Sequence, residues 1–69
     1  MKIAVNGEEV ILKQAVNVER LLELQKVEMA NYVTVQINDE IVDREDFENT
    51  LLKEGDSVEF LYFMGGGAA

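Results

Sequence analysis

The sequence predicts an α+β fold, in which one main helix packs across a mixed sheet of four or five strands. Three observations predict it: a hairpin turn near the start of the chain, one segment with helical periodicity, and alternating apolar residues in the second half. The chain has 69 residues, enough for one small domain and too few for two. Its apolar share of 48% is typical of a folded protein.

The first twelve residues predict a β-hairpin. Asn6 and Gly7 separate residues 2–5, which are rich in strand formers, from the apolar residues 10–12. Asn-Gly between two apolar segments is the strongest short hairpin signal, because both residues tolerate positive φ.

A helix is predicted to follow, from Val18 to about Lys26. Asn17 has the side chain of a helix N-cap, and Glu19 lies where the helix dipole favours a negative charge. Four residues at i, i+3, i+4 and i+7 spacing lie on one face of this helix: Val18, Leu21, Leu22 and Gln25. We expect this face to belong to the core, the alternative being a docking groove.

The second half of the chain predicts the remaining strands and turns. Val33, Val35 and Ile37 alternate with polar residues and Tyr32, which is typical of a strand with one buried face. The predicted segments are a strand over 32–38, a short return at 41–42, a single helical or 3₁₀ turn over 43–47, a tight turn over 53–56 and a strand over 57–64. Together with the hairpin and the helix, this order is that of a β-grasp, or ubiquitin-like, fold.

The charge is strongly acidic and excludes one class of partner. The chain has 14 acidic and 6 basic residues and a formal net charge of −8. We therefore expect no nucleic-acid binding, which depends on Lys and Arg at the phosphates. Five carboxylates cluster within nine positions: Glu40, Asp43, Glu45, Asp46 and Glu48. They lack the ligand spacing of a calcium loop, so an acidic edge that steers a basic partner is the preferred interpretation.

Two absent residue types argue against an enzyme. The sequence contains neither Cys nor His, so it has no thiolate nucleophile, no common metal ligand and no imidazole base. We therefore expect no catalytic residue, no metal and no bound cofactor. No apolar segment has the roughly 20 residues that span a bilayer, and the first residues do not form a signal peptide. We expect a cytoplasmic protein that does not bind membranes.

The last strand runs directly into glycine, which divides the chain into a domain (1–64) and a predicted flexible tail (65–69). By alternation, Val58 and Phe60 face the core, whereas Leu61 and Phe63 lie on the opposite face. The alternative is that the helix or a loop covers that face. The residues predicted to dock a partner are Leu61, Phe63, Met64 and Gly65.

This combination resembles the ThiS family, the sulfur carriers of thiamine thiazole biosynthesis. The likeness extends over essentially the whole chain and depends on the order of several short segments. They are the first strand with its Asn6-Gly7 turn, residues 18–22, 35–42 and 44–45, residues 54–56, and the final strand with its glycines. The small subunit of molybdopterin synthase has the same fold and tail but is usually longer.

The resemblance implies a reaction at the chain end, with Gly67 as the reacting residue and Gly66 as its required neighbour. An E1-like adenylating enzyme would use Mg-ATP to activate the carboxylate. Sulfur from a cysteine desulfurase would then convert it to a thiocarboxylate, which thiazole synthase would accept. The alternatives are a carrier of the same chemistry for molybdopterin, methionine or another sulfur metabolite, and a ubiquitin-like interaction module with an inert tail.

The sequence departs from this pattern at its end, because Ala68 and Ala69 follow Gly67. Two extended residues place the terminal carboxylate about 7 Å beyond Gly67. Either a processing peptidase removes Ala68-Ala69, or the two alanines are an artificial addition to the natural chain.

Overall fold

The computed structural model describes residues 1–62 and confirms the predicted α+β architecture. Within residues 1–62 the sheet has five strands, and a single α-helix packs on one of its faces. The elements are β1 (Lys2–Val5), β2 (Glu8–Ile11), α1 (Val18–Leu24), β3 (Val33–Ile37), β4 (Glu40–Val42), a 3₁₀ turn (Arg44–Asp46) and β5 (Ser57–Tyr62). The 3₁₀ turn lies inside the segment predicted for it.

The strands are ordered β2-β1-β5-β3-β4, so the last strand lies in the middle of the sheet. β5 pairs in parallel with β1 and antiparallel with β3. Each edge of the sheet is completed by a hairpin partner, β2 beside β1 and β4 beside β3. The two edge hairpins therefore flank the strand that leads to the C-terminus.

Both hairpin turns use residues in the left-handed region. Asn6 and Gly7 have φ values of 51° and 83°, and Asn38 and Asp39 have φ values of 52° and 72°. Two consecutive positive φ values suit the right-handed twist of the paired strands. The predicted Asn6-Gly7 hairpin is confirmed, and the second hairpin has Asn38 and Asp39 at the corresponding turn positions.

Helix α1 begins as predicted but ends earlier. The Asn17 Oδ1 accepts a hydrogen bond from the Arg20 N–H at 2.7 Å, which confirms the N-cap. The helix stops at Leu24, two residues before the predicted end at Lys26. Gln25 is exposed and contributes nothing to the apolar face.

Lys26 explains the early end. It has a φ of 53°, and its N–H donates to the Glu23 carbonyl, while the Val27 N–H donates to the Leu22 carbonyl. This pair of bonds is the Schellman arrangement, in which glycine is the usual left-handed residue.

We therefore expect Lys26→Gly to raise the free energy of unfolding, by about 0.5–1 kcal/mol, because it removes the strain of a left-handed side chain. Urea denaturation measures the change. Gln25→Gly is the matched control: Gln25 has a φ of −85°, so glycine there only loses entropy and should destabilise. Equal destabilisation by both variants would contradict the explanation.

The core lies between α1 and one face of the sheet. Helix α1 contributes Val18, Leu21 and Leu22 to it. On β3, Val33 and Val35 are buried as predicted, whereas Ile37 is half-buried. On β5, Val58 is fully buried and Phe60 packs half-buried against the core. The buried cluster comprises Ile3, Val5, Leu12, Val18, Leu21, Leu22, Val33, Val35, Phe47, Leu52 and Val58.

A polar network joins the start of β5 to the β3–β4 turn. Asp56, which is 9% exposed, accepts hydrogen bonds from the Asn38 side chain at 3.0 Å and from the Lys53 N–H at 2.8 Å. The Asn38 Oδ1 in turn accepts from the Ser57 N–H. Gly55, with a φ of 86°, completes the predicted turn over 53–56. Both carboxylate oxygens of the buried Asp56 are thus satisfied.

Several predicted features lie outside the described residues. They are the continuation of the last strand to Met64, the domain boundary at residue 64, the tail over 65–69, and the side chains of Phe63 and Met64. Among residues 1–62, no helix combines the length and the apolar character that a membrane crossing requires.

Candidate functional site: the end of the last strand

The end of β5 is the part of the described structure nearest to the predicted reacting residues. In the β3–β5 ladder, Leu61 lies opposite Thr34 and Tyr62 lies opposite Val33. On the other side, the parallel β1–β5 ladder reaches Val58. The last residues of β5 therefore extend past the end of β1, and something else must satisfy their backbone on that side.

Asn6 supplies that partner. Its backbone N–H donates to the Val58 carbonyl at 2.8 Å, and its Oδ1 accepts from the Phe60 N–H at 2.8 Å. The amide side chain thus replaces the next backbone carbonyl and extends the ladder by one position. The hairpin turn residue is at the same time a support for β5.

Tyr62 is held from the helical side of the sheet. Its hydroxyl donates to the Glu28 carbonyl at 2.9 Å, across 34 residues of sequence. The side chain is 44% exposed, and a groove of about 240 Å³ beside it is bordered by Asn6, Gln25 and Val27. This bond ties the last described strand residue to the segment between α1 and β3.

Leu61 lies on the sheet face opposite the helix, as the alternation predicts. It is half-buried and is not part of the buried core cluster or of the residues packed against it. The apolar side chain of Ile41, which is 61% exposed, lies on the same face. The position of Leu61 is therefore compatible with docking, which stays a prediction. The other predicted docking residues, Phe63, Met64 and Gly65, and the predicted reacting residues, Gly66 and Gly67, lie outside the described part of the chain.

The acidic cluster forms an exposed surface. Glu40, Asp43, Glu45, Asp46 and Glu48 are all exposed. Within residues 1–62, no three acidic side chains are placed to hold a metal ion together. The cluster has the exposure that electrostatic steering requires.

A groove of about 470 Å³ lies between α1 and the 3₁₀ turn. Its Arg44 guanidinium donates to the carbonyls of Ala30 and Val33 at 2.7 and 2.9 Å and lies 5.3 Å from the centre of the Phe47 ring. The guanidinium therefore ties the 3₁₀ turn to the start of β3, which is a structural role.

The family model of the ThiS family matches residues 1–67. The chain belongs to the ThiS family. The family is that of the sulfur carriers of thiamine biosynthesis, the one to which the resemblance pointed. The match ends at Gly67, so Ala68 and Ala69 lie beyond it.

Two solved structures of a ThiS protein from Geobacter metallireducens, described as a thiamine biosynthesis protein, are similar to this chain at 49% identity. The crystal structure has a TM-score of 0.90 and covers 97% of this chain and 100% of that chain. The solution NMR structure has a TM-score of 0.77 and covers 97% of this chain and 88% of that chain. These matches confirm the β-grasp fold of the ThiS family for this chain.

A curated relative of the ThiS chain is a thiazole synthase from Paramagnetospirillum magneticum. It is 35% identical over 68 residues, which are 99% of this chain and 21% of the relative. The chain thus spans about one fifth of the length of that protein. A ThiS-like segment therefore occurs within a longer protein that is named for thiazole synthesis.

Sequence reasoning missed two residues at this site. Asn6 was recognised only as a turn residue, because nothing in the local sequence indicates that its side chain reaches Phe60, 54 residues away. The partner of the Tyr62 hydroxyl, the Glu28 carbonyl, lies 34 residues away in the sequence. An Asn at a left-handed turn position is a weak signal for the Asn6–Phe60 contact. The sequence contains no signal for the Tyr62–Glu28 contact.

Proposed function

We propose that this ThiS chain is a protein co-substrate that carries sulfur as a thiocarboxylate on Gly67, and that its own side chains catalyse no step. The observation that carries the proposal is the family match, which covers residues 1–67 and stops at Gly67. The composition supports it, because a chain without Cys has no internal thiol that competes for the sulfur.

The chemistry takes place in partner enzymes. In the first step the Gly67 carboxylate attacks the α-phosphate of Mg-ATP in an E1-like adenylating enzyme, which releases pyrophosphate and leaves an acyl-adenylate. A persulfide derived from a cysteine desulfurase then attacks the carbonyl carbon and displaces AMP. Cleavage of the resulting S–S bond by a thiol releases the thiocarboxylate. Gly66 is required beside it, because a Cβ there would collide in a narrow channel.

Thiazole synthase is the proposed acceptor of the sulfur. The relative from Paramagnetospirillum magneticum supports this partner, since a protein named thiazole synthase contains a segment similar to nearly all of this chain. A donor and an acceptor in one polypeptide would meet at a high effective concentration.

Ala68 and Ala69 must be absent from the reacting chain. We propose that a peptidase cleaves the Gly67–Ala68 bond before adenylation, or that the natural chain lacks the two alanines. Mass spectrometry of the protein from its native host, which shows the C-terminal residue, distinguishes these two alternatives. If the protein keeps Ala69 and still transfers sulfur, Gly67 does not have to be the terminal residue and the proposal is wrong.

The decisive test is reconstitution. The chain ending at Gly67 is incubated with the adenylating enzyme, Mg-ATP and a persulfide donor, and its mass is measured. Replacement of one terminal oxygen by sulfur supports the proposal, and omission of ATP is the control. An unchanged mass in the complete mixture would falsify the carrier function and favour an interaction module.

The acidic surface should accelerate association with its partner. The net charge of −8 and the exposed carboxylates at 40–48 predict attraction to a basic enzyme surface. We expect the association rate to fall by about tenfold or more between low and high salt, while the dissociation rate changes little. Stopped-flow measurement at several salt concentrations checks this. Asp43→Asn and Glu45→Gln together should flatten the dependence, and an unchanged slope would contradict steering by this cluster.

A further inference from the structure

We propose that Tyr62 is a positioning residue, whose hydroxyl fixes the direction in which the reacting end leaves the domain. This inference rests on the proposed function, because it concerns the reaction at Gly67. The contact from which it is argued does not depend on that function: the Tyr62 hydroxyl donates a hydrogen bond to the Glu28 carbonyl at 2.9 Å. Tyr62 is also the last residue of β5 and is 44% exposed.

The end of β5 is held in three directions. On the β1 side, the Asn6 Oδ1 accepts from the Phe60 N–H. On the β3 side, Tyr62 pairs with Val33. Both of these contacts lie in the plane of the sheet. Out of that plane, packing on the core restrains β5 as far as Phe60 and not at its last residues. The Tyr62 hydroxyl bond restrains that remaining direction, because Glu28 belongs to the segment that follows the helix.

The acceptor of this bond is itself fixed. Glu28 precedes Met29, which is held in the left-handed region with a φ of 57°. Two residues further on, the Arg44 guanidinium binds the carbonyls of Ala30 and Val33. The Tyr62 hydroxyl therefore joins β5 to an anchored segment and not to a free loop.

The direction of β5 matters because the reaction takes place at a distance. Gly67 is five residues beyond Tyr62, which covalent geometry limits to about 17 Å. When a partner's channel holds the predicted tail extended, a tilt of about 20° at the base of an arm of that length displaces its end by roughly 6 Å. Reacting atoms must approach within about 3–3.5 Å, so a small tilt at Tyr62 is large at the carboxylate.

A positioning role and a docking role of Tyr62 predict different kinetic effects. Leu61 precedes Tyr62 and faces the opposite side of the sheet from the helix, so the loss of the Tyr62 hydroxyl leaves this predicted docking residue in place. We expect Tyr62→Phe, in a chain ending at Gly67, to lower the kcat of adenylation by about fivefold to tenfold. The KM for the carrier should stay within about twofold of the original value.

Tyr32→Phe is the matched control. Tyr32 is also an exposed tyrosine, at 68%, and within residues 1–62 its hydroxyl has no hydrogen-bond partner in the structure. It should leave both kinetic constants unchanged. An unchanged kcat in Tyr62→Phe, or a rise of KM with kcat preserved, would overturn the positioning role.

A second measurement tests the restraint without any partner enzyme. The ¹⁵N relaxation of the Leu61 and Tyr62 amides should report a lower order parameter in Tyr62→Phe than in Tyr32→Phe. Unchanged order parameters would refute the restraint, whatever the kinetics show. If the unsubstituted chain ending at Gly67 is not adenylated, the proposed function fails, and the relaxation comparison still decides the role of the hydroxyl.

Discussion

A chain that ends at Gly67 is expected to be adenylated about 100-fold faster, or more, than the same chain ending at Ala69. The two alanines move the carboxylate about 7 Å along an extended chain, which is twice the distance at which reacting atoms meet. The domain is the same in both proteins, so the docking contribution to binding should be equal. The difference should therefore appear in kcat and hardly in KM. ATP-dependent release of pyrophosphate with the adenylating enzyme measures both constants.

Shortening the chain provides the control for this prediction. A chain ending at Gly66 withdraws the carboxylate by about 3.4 Å and should also react slowly, although no side chain blocks its entry. An optimum at Gly67, with losses on both sides, is the signature of a fixed distance between the docking face and the reaction centre. If the chains ending at Gly66 and Gly67 react equally fast, the distance is not fixed and this account of the terminus is wrong.

The elements of the fold could be predicted because each has a local signal. The Asn6-Gly7 turn, the Asn17 cap and the alternation around Val35 are each legible within a few residues. The helix ends at Leu24, two residues before the predicted Lys26, because a left-handed lysine gives no local signal in the sequence where a glycine would. The pairing of β1 with β5 joins the two ends of the chain, and no local pattern contains that information.

At the candidate site, too, the sequence predicts local features but not the contacts between distant residues. Leu61 was assigned to the outer face correctly, because alternation along one strand is enough to assign it. The two contacts that support the end of β5 span 54 and 34 residues, from Asn6 to Phe60 and from Tyr62 to Glu28. Such contacts follow from the packing of the whole domain. Chemistry at a chain end is therefore suggested by the sequence, whereas its alignment is visible only in three dimensions.

The second large effect is expected at Leu61. If the outer face near the end of β5 docks the adenylating enzyme, Leu61→Asp should raise the KM by about 30-fold, since a central interface residue contributes about 2 kcal/mol. Leu61 is half-buried and opposite Thr34, outside the buried core cluster. The fold should therefore survive, with a loss of stability of no more than about 1 kcal/mol from the poor strand propensity of Asp.

Two further variants separate docking from folding. Ile11→Asp places the same charge on the same sheet face, at a residue that is 67% exposed but lies on the edge strand β2. It should leave the KM close to its original value. Leu61→Thr introduces a β-branched residue, which favours the strand, but removes most of the apolar contact, so it should raise the KM to an intermediate value. Thermal denaturation of all three variants checks that they are folded. Global unfolding of Leu61→Asp, with Leu61→Thr also destabilised and of normal KM, would assign Leu61 to the core and remove it from the docking face.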